Sequence, residues 1–452
     1  MLALGGRKLA RALPLNSTRD PLHVPKVGAL DVWRILKGAG VRRLKFVIVD
    51  LYGRPRGVSF GIDEAKRALE EGVTFDGSSV AKYAEVHESD VTAVPDLSSV
   101  YVDPLDRSAW VFCRVEDPPR AAGLDPRSLL ERTVERLGER GLEARVGIEV
   151  EFFLVRVEGG RVEPADRGGY FDLSQPELKV AEEIEEAAEA AGLGGSKVHH
   201  EVAPGQYEYN LPAGDPVRAA DSFLFFKHLA SEVARARGLR ATFMPKPFWG
   251  VNGSGAHVHL NFLSGGESVF GKDGSLSAVG LHCLAGILKR ARALAALAAP
   301  TVNSYKRLVP HHEAPTRLVW GYSNRSALVR VPRYRGLANR IEVREPDPMM
   351  NPYLALAALL EAAARGLERG EEPPEPVLGP AYTLASAEET PPHLAAATAE
   401  FESAHGELGI PSELAEVYAR LKRAEWSEYV EACGPWEETW NKITEWEYRK
   451  YL

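Results

Sequence analysis

The chain has 452 residues, 45% of them hydrophobic and 26% charged; this composition excludes wholesale disorder, and the length allows more than one core. Its formal charge of −8 gives no footprint for nucleic acid, although a local arginine cluster would still suit an anionic substrate. Three widely separated cysteines, Cys113, Cys283 and Cys433, exclude a disulfide framework and a thiolate zinc site, and point to a reducing, cytoplasmic setting. Residues 1–23 are basic without a long apolar run, so they read as a flexible terminal segment and not a secretory signal. Segment 276–299 is apolar but broken by Lys289, Arg290 and Arg292, which predicts a packed helix and no membrane span.

Residues 24–117 read as a first, small mixed domain with strands at 44–51 and 109–115, both rich in β-branched and aromatic residues. Between them, FDGSS at 75–79 taken alone is a polar turn. Asp117-Pro118-Pro119 predicts a stiff linker, which sets a second domain at 118–452. Asp125-Pro126 opens a helix that closes at Gly141, and Asp215-Pro216 opens another that runs to Gly238. Strands and helices interleave without repeats.

Four stretches carry chemistry. In the strand GIEVEFFL at 147–154, Ile148, Val150 and Phe152 share one face and Glu149 and Glu151 the other. Like charges on one face either meet water or need a cation. In HHEVAPGQYE at 199–208, a tight hairpin turning at Pro204-Gly205 would set Glu201 opposite Glu208. NGSGAHVHL at 252–260 joins a glycine loop to a strand with His257 and His259 in register, without a phosphate-loop or dinucleotide spacing. The last stretch is basic: Lys306, Arg307, Arg325, Arg330, Arg333 and Arg335, then RIEVR at 340–344, where Arg340 and Arg344 would flank Glu342.

These stretches, with ESD at 88–90, MPKPFWGVNGSGAHVH at 244–259, NSYKRLVP at 303–310, NRSALVR at 324–330 and RIEVREPDPMMNPYL at 340–354, together resemble the type I glutamine synthetase family. The resemblance implies an α+β architecture, with an N-terminal β-grasp domain and a C-terminal catalytic domain of antiparallel sheet and flanking helices. It also implies hexameric rings stacked as a homododecamer, with each active site between neighbouring subunits. It assigns Glu151, Glu201 and Glu208 to one divalent ion and Glu149, His257 and Glu342 to a second, oxygen-rich sets that suit Mg²⁺ or Mn²⁺. Asn252, Gly253, Arg307 and Arg344 match glutamate contacts, and His259, Arg325, Arg330 and Arg340 match contacts to ATP or the transferring phosphoryl group. Asp76, Asp90, Tyr170 and Glu313 match the ammonium pocket, with Asp76 serving the adjacent subunit. Asp76, Glu313 and Arg325 are the expected catalytic groups.

The implied reaction is ATP-dependent ligation of ammonia to the γ-carboxylate of L-glutamate through γ-glutamyl phosphate, giving glutamine. A related enzyme joining a polyamine or other primary amine to glutamate is the alternative. The small, wholly anionic acceptor pocket favours ammonia. Several positions depart from the family. His311-His312 replaces a Gly-aromatic pair, Asn261 stands for Ser, Leu337 for a basic residue near ATP, and Glu85 for an arginine linked to feedback. No counterpart of the tyrosine-containing adenylylation loop stands around 371–390.

Overall fold

The computed structural model describes residues 28–80, 83–195, 197–333 and 338–452. The predicted terminal segment 1–23 lies outside them, as do Arg335 and Leu337.

The first sheet contains β1 (Arg43–Val49), β2 (Pro55–Gly61), β3 (Val73–Asp76), β4 (Asp90–Val102) and β5 (Ser108–Asp117), in the order β2-β1-β5-β4-β3. Strands β1 and β5 run parallel and their neighbours antiparallel. Leu44, Phe46 and Ile48 from β1 and Val111 and Phe112 from β5 are buried, as expected for β-branched and aromatic runs. The register of β4 against β5 slips between Pro95 and Val100, where proline has no ladder donor to give. The stretch predicted as a linker differs: Pro119–Leu124 is a short helix with proline at its first position, followed at once by helix Pro126–Glu139. Asp125 caps that second helix by accepting from the amide of Ser128 at 3.1 Å.

The second sheet carries the chemistry. Its strands are β6 (Glu143–Glu158), β7 (Arg161–Pro164), β8 (Val198–His200), β9 (Gln206–Gly214), β10 (Arg240–Thr242), β11 (Ala256–Ser264), β12 (Glu267–Ser268), β13 (Trp320–Tyr322), β14 (Val329–Val331) and β15 (Ile341–Val343). The main path is β13-β14-β15-β11-β6-β9-β8, antiparallel except where β13 meets β14. Strand β6 is central. Its Ile148, Val150 and Phe152 are buried, each worth about 1.5–3 kcal/mol of transfer free energy. Phe152 packs edge-on to Phe226, 6.0 Å away on helix Pro216–Ala236. One face of β6 therefore seals the core and leaves the glutamates on the other.

Helix Ala278–Ala298 is packed inside the molecule as predicted, and among the described residues no helix is long and apolar enough to cross a membrane. Arg127, on helix Pro126–Glu139, ties the first sheet to helix Pro216–Ala236: its buried guanidinium donates to Asp96 of β4 at 2.6 Å and to Asp221 of that helix at 2.9 Å. Asn351 Nδ2 adds a bond to the carbonyl of Asp50 at 3.1 Å.

Candidate active site

Strand β6 sets the spacing of the site. Glu149 lies opposite His257 on β11 and Asn210 on β9, whereas Glu151 lies directly opposite Glu208. Glu151 and Glu208 are each only 7% exposed, so the acidic face is a buried like-charge pair and not a solvated one.

The hairpin register departs from the sequence expectation. The carbonyl of Ala203 accepts from the amide of Gln206 at 3.0 Å, closing a turn with Pro204-Gly205 at its centre and Gly205 at φ 72°. A turn of that hand does not match the twist of a tight hairpin; the Glu201 amide donates to the Gln206 carbonyl at 2.8 Å, and the ladder runs on with His200 opposite Tyr207 and His199 opposite Glu208. Glu201 therefore does not face Glu208. His199 joins the two instead, its Nε2 standing 2.9 Å from Glu201 Oε1 and 4.0 Å from Glu208 Oε1.

Two groups of ligand atoms converge within 4.8 Å of one another: Glu149, Glu208 and His257, and His199, Glu201 and Glu208. Oxygen donors with one imidazole in each group fit a hard or borderline divalent ion. Glu151 sits beside both. Its Oε2 accepts from Gln206 Nε2 at 3.1 Å and the Gly255 amide at 2.8 Å, and its Oε1 lies 3.7 Å from His257 Nδ1. Burial first, then the charges of Glu201 and Glu208, raise the Glu151 carboxyl well above its ordinary range. Burial with Glu149 and Glu201 pushes Glu208 up to about 8.

Glu149 behaves oppositely. Burial opposes its ionisation, but hydrogen bonds from His257 Nδ1 at 3.1 Å and His259 Nε2 at 2.8 Å hold the carboxyl far below its usual value. His259 in turn accepts at Nδ1 from Arg340 Nε at 3.1 Å, which orients the imidazole toward Glu149. Burial lowers His257 to about 4, with Arg344 adding to the effect.

The basic stretch also differs from expectation. Glu342 is flanked by Arg344, 2.6 Å away, and by Arg330 of β14 at 2.5 Å, whereas Arg340 turns to His259. Strand β15 spans only three residues, so the alternation assumed from 340 to 344 does not reach Arg340. Burial opposes the charge on Glu342, but Arg344 leads the groups that bring its carboxyl down to about 2.

A polar cavity opens on this face, lined among others by Glu151, Glu201, Asn252, Arg307, Glu313 and Arg344. Arg307 is held from below, donating to the carbonyls of Glu345 at 2.8 Å and Arg344 at 2.9 Å. The glycine loop fits closely. A Cβ at Gly253 would stand 2.2 Å from the carbonyl oxygen of Pro245, and one at Gly255 would stand 2.5 Å from His257 Nε2 and 2.7 Å from Arg307 Nη2. Arg325 also lines the cavity, and Tyr170, 45% exposed, lies within reach of it. Asp76 and Asp90 do not join this cavity: they oppose each other at the exposed end of β3 and β4 in the first sheet. Glu85 lies 3.7 Å from Arg120, and Asn261 Oδ1 accepts from Ser268 Oγ at 3.0 Å.

Sequence reading assigned no role to His199 or Gln206. The signal was present, because Gln206 and Glu208 are two apart on one strand and must share a face. For His199 the signal depended on the register.

Comparison with known proteins gives a consistent picture. Residues 123–441 match the family model described as glutamine synthetase, catalytic domain, and residues 40–118 match glutamine synthetase, beta-Grasp domain. Glutamine synthetase of Pyrococcus abyssi is 38% identical over 436 residues, covering 92% of this chain and 98% of that protein. Its counterpart in Methanocaldococcus jannaschii is 39% identical over 449 residues, covering 92% and 96%. Among solved structures, a GmaS/ADP complex superposes with a TM-score of 0.83 at 31% identity, covering 93% of this chain and 99% of that one.

Proposed function

The chain belongs to the glutamine synthetase family, and from that premise we propose how the residues of its cavity divide the work. The enzyme is a glutamate–ammonia ligase: it uses ATP and a divalent metal to turn glutamate and ammonia into glutamine, ADP and phosphate through γ-glutamyl phosphate. The observation that carries the assignment of the site is the buried opposition of Glu151 and Glu208 beside a cavity walled by Arg307 and Arg344.

In this reading, Glu151, Glu201 and Glu208 hold one ion and Glu149, His257 and Glu342 a second, both Mg²⁺ or Mn²⁺. Bound there, the ions would neutralise the phosphates of ATP and the γ-carboxylate as they approach. Glu342 takes one guanidinium on each carboxylate oxygen, which leaves a second lone pair on each for an ion. The convergence of His199 on Glu201 and Glu208 supports adding it to the first set. Asn252, the Gly253 carbonyl, Arg307 and Arg344 bind glutamate. His259, Arg330 and Arg340 contact ATP, and Arg325 meets the phosphoryl group in flight.

Ammonium is not a nucleophile, so a carboxylate must take its proton before attack. Asp76 takes that part, with Asp90, Tyr170 and Glu313 completing an anionic pocket. The position of Asp76 and Asp90 away from their own chain's cavity supports a pocket completed by a neighbouring subunit; the hexameric rings stacked as a homododecamer that the family resemblance implies would supply that neighbour. Three free cysteines support a reducing, cytoplasmic setting.

The test is phosphate release from ATP and Mg²⁺ with glutamate, comparing ammonium with putrescine and ethanolamine. Release that depends on ammonium is expected. Activity with a primary amine and none with ammonium would overturn the acceptor assignment.

A further inference from the structure

His312 and Asn252 both line the cavity, one on the segment after Pro310 and the other on the loop before β11. Imidazole Nδ1 stands 3.3 Å from Asn252 Oδ1. An amide oxygen has no hydrogen to give, so Nδ1 must carry the proton of this bond. Burial, with Lys246 and His311 close by, keeps the His312 imidazole below its ordinary pKa and so favours the neutral ring. With Oδ1 engaged in this way, the Asn252 side-chain NH₂ is left with no bonding partner among the described residues.

The segment is built to hold that pose. His311 and Glu313, on either side, adopt left-handed backbone at φ 69° and 56°, conformations that non-glycine residues enter only at some cost. The ring of His311 rests 5.3 Å from that of Tyr382, and Arg344 Nη2 donates to the carbonyl of Glu313 at 3.2 Å. Both neighbours of His312 are therefore tethered, and the imidazole is carried over the cavity in a set direction.

We propose that His312 is a positioning residue for glutamate: by donating to Asn252 Oδ1 it fixes the amide so that its NH₂ is presented to a substrate carboxylate. An amide turned the other way would present an oxygen and repel that carboxylate. The inference rests on the reading above that Asn252 contacts glutamate.

Steady-state kinetics of the whole enzyme, with glutamate varied at saturating ATP, ammonium and Mg²⁺, test it. His312→Ala should raise the glutamate KM about tenfold, the size of one lost hydrogen bond, and leave kcat within about threefold. His312→Gln, which keeps a donor, should restore most of the loss; His312→Phe, which keeps bulk without a donor, should not. Asn252→Ala should raise the same KM, and adding His312→Ala to it should change nothing further. Rescue by phenylalanine, or full additivity of the two alanine variants, would overturn the positioning role while leaving Asn252 a glutamate contact. An unchanged glutamate KM in Asn252→Ala would overturn the contact itself and the inference with it.

Discussion

Lys306→Met is the most demanding test of how the site is held. Both Lys306 and Glu447 are fully buried, and Nζ lies 2.6 Å from Glu447 Oε2. The ammonium also donates to the Tyr429 hydroxyl at 3.0 Å and the Lys442 carbonyl at 2.7 Å, so its three hydrogens are used. Glu447 is a hub as well: it accepts from Asn303 Nδ2 at 2.6 Å and from the amide and hydroxyl of Thr444, both at 2.9 Å. Asn303 in turn brackets Lys246, accepting from its amide at 2.7 Å and donating to its carbonyl at 3.0 Å. The C-terminal helix Glu445–Tyr451 thus clamps the segment that runs from Lys246 to Asn252 and the short helix Ser304–Arg307 that ends in Arg307. Removing the lysine charge leaves a buried carboxylate uncompensated, which costs about 3–5 kcal/mol, or roughly two to three and a half decades in a local opening equilibrium. Glu447→Gln leaves the Lys306 ammonium uncompensated in turn and sets its one NH₂ against donors, so it should cost a similar amount, about 3–5 kcal/mol. Native-state hydrogen exchange reads this without requiring reversible unfolding of an oligomer. Amides at 304–308 and 444–452 should lose protection in Lys306→Met, and the glutamate KM should rise with it. Exchange within about threefold of wild type at both segments would refute the clamp, because that is under about 1 kcal/mol.

Three further outcomes follow from the same geometry. Arg344→Lys should lower kcat/KM for glutamate by about 100-fold or more, since a point charge cannot grip a carboxylate with two parallel donors; near-normal glutamate kinetics would remove Arg344 from the site. Gly255→Ala places a methyl against His257 and Arg307, so Mn²⁺ affinity by calorimetry should fall about tenfold or more; unchanged affinity would mean that the loop gives way freely. Asp166→Asn removes an acceptor for His200 at 2.8 Å and Tyr207 at 2.6 Å. Burial opposes the charge on Asp166, but His200 and Tyr207 lead the bonds that hold it at about 2, so its contribution is complete above about pH 4 and is lost as pH falls through about 2. His200 is raised, with Asp166 the main cause against burial, so its share is complete below about pH 6.5 and fades as pH rises through its folded pKa. The stability gap between wild type and Asp166→Asn, read from urea unfolding at each pH, should therefore be widest near pH 5–6, roughly 2 kcal/mol, and narrow above pH 7; a gap that does not change with pH would refute the charged pair.

Periodicity made much of this molecule readable. The alternation in GIEVEFF assigned the core and site faces of β6, and the Asp-Pro pairs marked the starts of two helices. What alternation could not supply was pairing across strands. Glu201 and Glu208 were expected face to face because Pro204-Gly205 looked like a two-residue hairpin. The turn instead ties the Glu201 amide to the Gln206 carbonyl, and His199 takes the place of Glu201 opposite Glu208. Alternation also fails where a strand is too short to carry it: Arg340 precedes β15 and leaves Glu342 to Arg330, 12 positions before Glu342 and brought near only by the sheet order. The buried partner of Lys306 was out of reach for the same reason. Glu447 stands 141 residues away in sequence, and nothing local marks either residue as buried.

The uneven distribution of charge about β6 has a physical meaning. On one side Glu342 is met by two guanidiniums and Glu149 by two imidazoles, and both carboxyls are held low. On the other, Glu151, Glu201 and Glu208 share His199 and several amide donors, while the nearby Arg307 spends its terminal nitrogens on backbone carbonyls. A lysine or arginine aimed into that second group would have offset the burial and the repulsion that together raise Glu151 and Glu208. It would also have filled the space where a small cation fits. Leaving the group unbalanced costs folding stability and preserves affinity for an ion, the usual direction of compromise at a working site. Strand β6 makes the compromise possible because its other face, with Ile148, Val150 and Phe152 fully engaged in the core, holds the two glutamates in place against their neighbours' charge.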